Sequence, residues 1–194
     1  MKTLLLLANG FELAEAAAFT DIFGWNTRFG KTPMTVSTCS HGREVRCAFN
    51  TVMKTDLLIN EVDPDNYEAL AIPGGFGESG YYSDAYNEKF LKLIVEFNSR
   101  GKYIAAVCTG AMPLAKAGIL NNKKATTYHI ENNRQFTLLS ESGAQAVRED
   151  IVRDGNIITS CGPSTAPGVA LMLLSMLTSE SKADNIAKLM GYKP

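Results

Sequence analysis

The sequence predicts a doubly wound α/β sandwich: one mostly parallel sheet covered by helices on both faces, with short antiparallel hairpin additions. Three observations carry this. Five short apolar runs, each bounded by turn residues, recur along the chain and are mostly separated by segments of helical period. Those runs are apolar throughout rather than alternating, the pattern of parallel strands buried on both faces. No repeat, low-complexity tract or linker interrupts the series, so the 194 residues read as a single domain.

In chain order, the strands are expected at Thr3–Ala8, Thr35–Cys39, Ala69–Ile72, Tyr103–Cys108 and Ile157–Cys161. Helices are expected at Glu12–Phe23, Asn87–Asn98, Ala111–Ala117, Thr165–Leu177 and Lys182–Met190. In the second of these helices Phe90, Leu93, Ile94 and Phe97 fall on one stripe, which is core rather than ligand-binding spacing. Two segments break the alternation and read as hairpins: Glu44–Thr51, and Val147–Ile158 folded about Asp154-Gly155. Right-handed crossovers between parallel strands then give the doubly wound order.

Composition removes several classes of function. Nineteen Lys and Arg against twenty Asp and Glu give a formal net charge of -1 with no basic block, which disfavours a nucleic-acid partner. The apolar Leu4–Leu7 run is too short for a membrane span or a signal core, so it reads as a buried strand of a cytoplasmic protein that binds no membrane. Cys39, Cys47, Cys108 and Cys161 form no CxxC pair and have no histidine at ligand spacing. Neither a zinc site nor a disulfide framework is expected, and the chemistry calls for no metal or other cofactor.

In a doubly wound sheet, reactive groups gather beyond the carboxyl ends of the strands, and that rule selects four places. The first is Tyr103-Ile-Ala-Ala-Val-Cys108-Thr109-Gly110, an apolar strand ending at a cysteine and turning through glycine into a helix. Such a turn presents the thiol clear of the sheet, and the helix N-terminus is expected to lower its pKa, at the cost of strain at Cys108. The second is Pro73-Gly74-Gly75-Phe76-Gly77, whose backbone N–H groups, Gly75 with Thr109 and neighbouring Gly74, are candidates to hold an oxyanion or a cysteine oxyacid. No GxxxxGK[ST] pattern supports a phosphate cradle instead. The third is Gly10-Phe-Glu12-Leu-Ala-Glu15, where either carboxyl can face the thiol and share its proton, or merely complement the helix dipole. The fourth contains His129, a candidate base or orienting group for Cys108.

Together these residues resemble the DJ-1/PfpI superfamily, in its DJ-1/ThiJ-like branch, over essentially the whole chain. The resemblance rests on Gly10-Phe-Glu12-x-x-Glu15, Asp21, Pro73-Gly74-Gly75, Ala106-Val-Cys108-x-Gly110, Thr126-Thr127 and Asp154-Gly-x-x-x-Thr-Ser160-x-Gly-Pro163, in the right order. It implies a flavodoxin-like sandwich, usually a homodimer, and a hydrogen bond from the elbow cysteine to a protonated glutamate at Glu15; the choice of Glu15 over Glu12 comes from the resemblance alone. Members of that superfamily include glyoxalases that turn methylglyoxal into lactate without glutathione, deglycases, peptidases, hydratases and oxidative-stress sensors or chaperones. The chain departs from the pattern in three places. Tyr128 follows the paired threonines where DJ-1-like members with a Cys-His dyad carry histidine, which puts His129 one residue late. Thr109 follows the nucleophile where the protease branch has histidine, which argues against peptidase chemistry. Cys161 stands where an arginine is frequent, and it is a candidate second thiol able to condense with a Cys108 sulfenic acid.

The function these readings predict is a cysteine-dependent, cofactor-independent conversion of small reactive carbonyls, glyoxalase-like, with Cys108 as nucleophile, Glu15 as proton shuttle and a small-molecule substrate. The alternative is a redox sensor or stress chaperone in which Cys108 is oxidised; a hydrolase or hydratase ranks third. Trp25, Tyr81 and Tyr82 are large aromatics beside polar or glycine-rich segments, and are expected as dimer anchors or pocket rims.

Overall fold

A computed structural model describes residues 1–130 and 134–192. The chain begins with β1 (Lys2–Leu6) and α1 (Leu13–Phe29), followed by β2 (Thr35–Ser40), the hairpin β3 (Glu44–Arg46) and β4 (Val52–Lys54), and β5 (Leu57–Leu58). Next come β6 (Ala69–Ile72), α2 (Tyr81–Ala85), α3 (Glu88–Ser99), β7 (Tyr103–Ala106) and α4 (Ala111–Lys116). The remainder comprises β8 (Lys124–Ala125), α5 (Arg134–Glu141), β9 (Gln145–Ala146), β10 (Ile151–Asp154), β11 (Ile157–Ser160), α6 (Ala166–Leu177) and α7 (Glu180–Leu189).

Seven strands form one sheet in the order β10-β11-β7-β6-β1-β2-β5. Every pairing in it is parallel except β10 with β11. The five long parallel strands thus run second, first, third, fourth, fifth across the sheet, the flavodoxin-like order, with the switch point between β1 and β6. Leu4, Leu5, Leu6 and Leu7 are all 0% exposed, as only a strand covered on both faces can be. α1, α6 and α7 pack together on one side, and α3 with α4 covers the other. Phe19, Ile22 and Phe23 of α1 are wholly buried, each worth roughly 1.5–3 kcal/mol of burial.

The helix expected to end at Phe23 continues for another turn and a half. Gly24 has open space around it, Asn26 Nδ2 donates to the Thr32 carbonyl at 2.9 Å, and Gly30 N–H closes the end on the Asn26 carbonyl at 2.7 Å. Tertiary anchoring at the far end outweighs the helix-weakening glycine. The hairpin about Asp154-Gly155 is present, and β10 adds to the main sheet as its antiparallel edge. The other hairpin spans Glu44–Lys54 and forms its own two-stranded sheet; Cys47–Thr51 is its turn, not part of a strand. A bridge between Phe11 and Cys47, with Gly10 N–H donating to the Arg46 carbonyl at 2.8 Å and Ala48 N–H to the Phe11 carbonyl at 2.9 Å, ties it to the loop after β1. β5, β8, β9, α2 and α5 have no counterpart in the sequence reading; three are two-residue strands, too short to show a period. No helix among the described residues is long and apolar enough to cross a membrane.

Candidate active site

Three loops meet beyond the switch point: Leu7–Glu12 after β1, Pro73–Phe76 after β6, and Val107–Gly110 after β7. Backbone bonds lock them to each other. Gly74 carbonyl accepts from Glu12 N–H at 2.8 Å, Phe76 N–H donates to Gly10 carbonyl at 2.9 Å, and Val107 N–H donates to Ile72 carbonyl at 3.1 Å. This proximity demands glycine at Gly74, Gly75 and Gly110, where an added Cβ would fall under 3 Å from a neighbouring loop. A Cβ on Gly75 would lie 2.3 Å from Gly10 O and 2.4 Å from Tyr81 Cδ2, and one on Gly110 would lie 2.6 Å from Ile72 O. Gly75→Ala is therefore expected to lower stability by about 1–3 kcal/mol, read as a fall in the urea midpoint at unchanged m-value; an unaltered midpoint would contradict this packing.

Cys108 sits at the apex with φ +56°, a left-handed conformation that a side chain adopts at a cost of about 1–2 kcal/mol. The turn is held from both sides: Gly110 N–H donates to Val107 carbonyl at 2.8 Å, and Thr127 Oγ1 donates to the Cys108 carbonyl at 3.0 Å. Strain imposed by so many anchors leaves the thiol half-buried and facing a cavity of about 320 Å³. Thr109 N–H faces the sulfur, while its hydroxyl donates to the Gly75 carbonyl at 2.9 Å.

Glu15, on the first turn of α1, is 0% exposed and lies against this thiol. Its Oε2 accepts from Gly74 N–H at 2.6 Å, whereas no donor reaches Oε1. Burial lifts its pKa from 4.5 to about 8, assisted by the Glu12 charge and opposed by the Gly74 N–H and the Cys108 side chain. A carboxyl so placed keeps its proton at neutral pH, and the oxygen without a donor, Oε1, is the one to carry it. Glu12, the other candidate, is half-buried at the start of α1 and lines the same cavity.

The Cys108 pKa moves opposite to the expectation from a helix N-terminus. Burial raises it, as does the neighbouring Glu15 carboxyl, and the Thr109 N–H only partly offsets this. The reason is structural: α4 is six residues long and begins after a tight 3-10 turn, so its dipole is small beside the loss of solvent. Cys108 and Glu15 are therefore a coupled pair holding two protons near neutrality, with the first released at about pH 8.

The remaining predicted residues divide clearly. Gly74 N–H is committed to Glu15 and Gly75 N–H to Thr109 Oγ1 at 2.8 Å, and the Thr109 hydroxyl itself donates to the Gly75 carbonyl at 2.9 Å, so at rest the Thr109 N–H is the donor presented to the sulfur. His129 is not brought to the thiol. Its Nδ1 is 3.0 Å from the Thr127 carbonyl and 3.2 Å from Thr126 Oγ1, its ring stands edge-on to Phe136, and Tyr128 lines the cavity in its place. The one-residue offset turns the imidazole into its own loop. Cys161 is buried, with Sγ donating to the Asp150 carboxylate at 3.6 Å, and it does not line the cavity, so a resolving role has no geometric support. Tyr81 is core, not rim: it is 0% exposed and its hydroxyl donates to the Pro73 carbonyl at 2.8 Å. Tyr82 does line the cavity, while Trp25 is partly exposed with its ring against Phe29, centroids 5.0 Å apart.

Sequence reasoning missed Gln135, Phe76 and Glu78. Gln135 comes from α5, whose only signal is the spacing of Phe136 and Leu139 in a short polar segment. Phe76, 39% exposed at the cavity mouth, meets Phe49 of the β3–β4 turn edge to face, with centroids 5.6 Å apart. Among the described residues no group of three or more His, Cys, Asp or Glu is arranged to hold a metal ion.

A flavodoxin-like sheet with a strained cysteine at the turn after its fourth long strand, paired to a buried protonated glutamate from its first helix, defines a class of cysteine-centred α/β proteins. Comparison with known proteins narrows the class. The DJ-1/PfpI family model matches residues 1–176, and the chain belongs to that family. It is 30% identical over 194 residues to dj-1beta of Drosophila melanogaster, covering 96% of this chain and 95% of that one. It is also 30% identical over 167 residues to a protein named deglycase PfpI from Pyrococcus furiosus, covering 84% and 91% respectively. A 36% match over 132 residues to an uncharacterised Methanocaldococcus jannaschii protein covers 68% of this chain and only 61% of that one. Among solved structures, Drosophila DJ-1beta superposes with a TM-score of 0.85 at 26% identity, covering 100% of this chain and 98% of that one. The relatives carry names of different activities, so family membership leaves the reaction to be argued from the site.

Proposed function

We propose that the protein converts small reactive carbonyl compounds through a covalent Cys108 adduct, in the manner of a cofactor-independent glyoxalase. The observation that carries this reading is the Cys108 thiol set against the buried Glu15 carboxyl in a cavity large enough for a small metabolite. With the pair in its one-proton form, the Cys108 thiolate adds to the aldehyde carbon of methylglyoxal, and the new alkoxide takes the proton from Glu15. The Glu15 carboxylate then removes the hydrogen from that carbon, the electrons passing into a carbon–carbon double bond and onto the neighbouring oxygen. The Thr109 N–H stabilises the negative oxygen. Glu15 returns the proton to the second carbon while the hydroxyl proton of the first moves to the neighbouring oxygen, leaving a lactoyl thioester. Water, deprotonated by Glu15, displaces the thiolate. The sum is methylglyoxal plus water to lactic acid, with both groups restored.

The reactive form exists only after the pair has lost one proton. Since burial holds Glu15 up at about 8 and the thiol is raised as well, kcat/KM is expected to rise with pH through about 8. Initial rates of lactate formation between pH 6 and 9.5 check this; a profile flat across that range would contradict it.

A redox-sensing role is the second reading, favoured by the same protonated Oε1, which would donate to a cysteine sulfinate. The solved structure of oxidised Toxoplasma gondii DJ-1, at a TM-score of 0.78 and 26% identity over 100% of this chain and 99% of that one, supports keeping it. The two readings part on turnover: a sensor consumes peroxide stoichiometrically at Cys108, whereas an enzyme forms many equivalents of lactate.

A further inference from the structure

The cavity around Cys108 has a one-sided charge. Among the described residues its wall contains Glu12, Glu15 and Glu78, and neither lysine, arginine nor histidine. Among the described residues no cationic side chain forms an ion pair with Glu12 or Glu78. The field of Glu12 already acts inside the site, because it is one of the causes that hold the proton on Glu15. Glu15 Oε1, fully buried and without a donor, offers a proton to an entering ligand but no positive charge. The rest of the wall is largely aromatic or apolar: Phe76, Tyr82, Tyr128 and Pro163. A carboxylate or phosphate entering here would give up hydration, find no cation among the described residues, and face the half-buried Glu12 and the exposed Glu78 at the cavity wall. An uncharged molecule meets no such penalty, and a cation would be attracted by the glutamates and by the aromatic faces.

We propose that this cavity selects by charge, admitting uncharged or cationic small molecules to Cys108 and excluding those that carry a carboxylate or phosphate, with Glu12 and Glu78 setting the selection. The proposal takes from the preceding section only that Cys108 is the nucleophile met by an entering small molecule.

The test compares two alkylating agents of nearly equal size and unequal charge. Iodoacetamide is neutral and iodoacetate is an anion; in both, the Cys108 sulfur bonds to the methylene carbon as iodide leaves. Second-order rates at the Cys108 peptide, followed by mass spectrometry, give a ratio in which any change in thiol pKa cancels. At low ionic strength the iodoacetamide-to-iodoacetate ratio for Cys108 is expected to exceed that of 2-mercaptoethanol by about tenfold or more, and to fall towards it in about 0.5 M salt. Glu12→Gln combined with Glu78→Gln should remove most of the excess. A ratio equal to that of the free thiol, or an excess unmoved by the double substitution, would overturn the proposal. Methylglyoxal turnover is read separately on the same samples. Charge selection without lactate formation would sink the carbonyl-enzyme reading and leave this one standing, and lactate formation without charge selection would do the reverse.

Discussion

Cys108→Ser is expected to lower lactate formation from methylglyoxal by at least about 10³-fold while leaving the fold intact. A serine hydroxyl in this place is far harder to ionise than a thiol, and Glu15, which holds its own proton up to about pH 8, is no base for it at neutrality. Thr109, Gly75 and the cavity wall would all remain, so the loss reads the nucleophile and little else. Thermal unfolding is expected to change by less than about 1 kcal/mol, because serine occupies nearly the same volume and meets the same φ of +56°. The control matters: a variant inactive because it is unfolded would say nothing about the chemistry.

Glu15→Gln should lose turnover and gain stability together, a combination that mere damage does not produce. Gln can accept from Gly74 N–H as Glu15 Oε2 does, but it neither takes nor returns a proton, so a rate loss of about 10²–10⁴-fold is expected. The stability effect follows from the raised pKa. Between 4.5 and about 8 the folded protein binds a proton at Glu15 that the unfolded chain has released, so this contribution is complete below pH 4.5 and drains away as pH rises through about 8. Glutamine does not titrate. The stability of Glu15→Gln relative to the wild type should therefore grow across that window, reaching about 3–5 kcal/mol at its upper end, at roughly 1.4 kcal/mol for each tenfold change in proton affinity. Urea unfolding at pH 5 and pH 8.5 reads the difference. Parallel changes in the two proteins would mean that Glu15 ionises in the fold much as it does in an unfolded chain.

The features of the fold and site that are legible in the sequence share a physical property: they are local. Leu4–Leu7 and Ala69–Ile72 announce buried parallel strands because every residue in them is apolar. The Val107-Cys108-Thr109-Gly110 turn shows itself because glycine follows at the one place where the chain must pass Ile72 closely. Glu15 was distinguishable from Glu12 only through the family pattern, since spacing places both near one end of the first helix; burial is what separates them. The direction of the Cys108 pKa is not legible in the sequence for a similar reason. A helix N-terminus is visible in sequence, whereas the desolvation that outweighs it depends on what three other segments pack around the thiol. His129 illustrates the limit from the other side. Its one-residue offset was visible, yet its consequence, a ring turned towards Thr127 and Phe136, depends on the path of a loop without periodicity. Gln135 and Phe49 reach the cavity region from a weakly patterned helix and a hairpin turn distant in the chain.

The central claim is that Cys108 and Glu15 act as one unit on a carbonyl substrate. It is tested most directly by measuring lactate from methylglyoxal with the reduced wild-type protein, Cys108→Ser and Glu15→Gln side by side at pH 8. Many equivalents of lactate from the wild type and almost none from either variant is the predicted result. Wild-type rates in either variant, or less than one equivalent of lactate from the wild type, would contradict it.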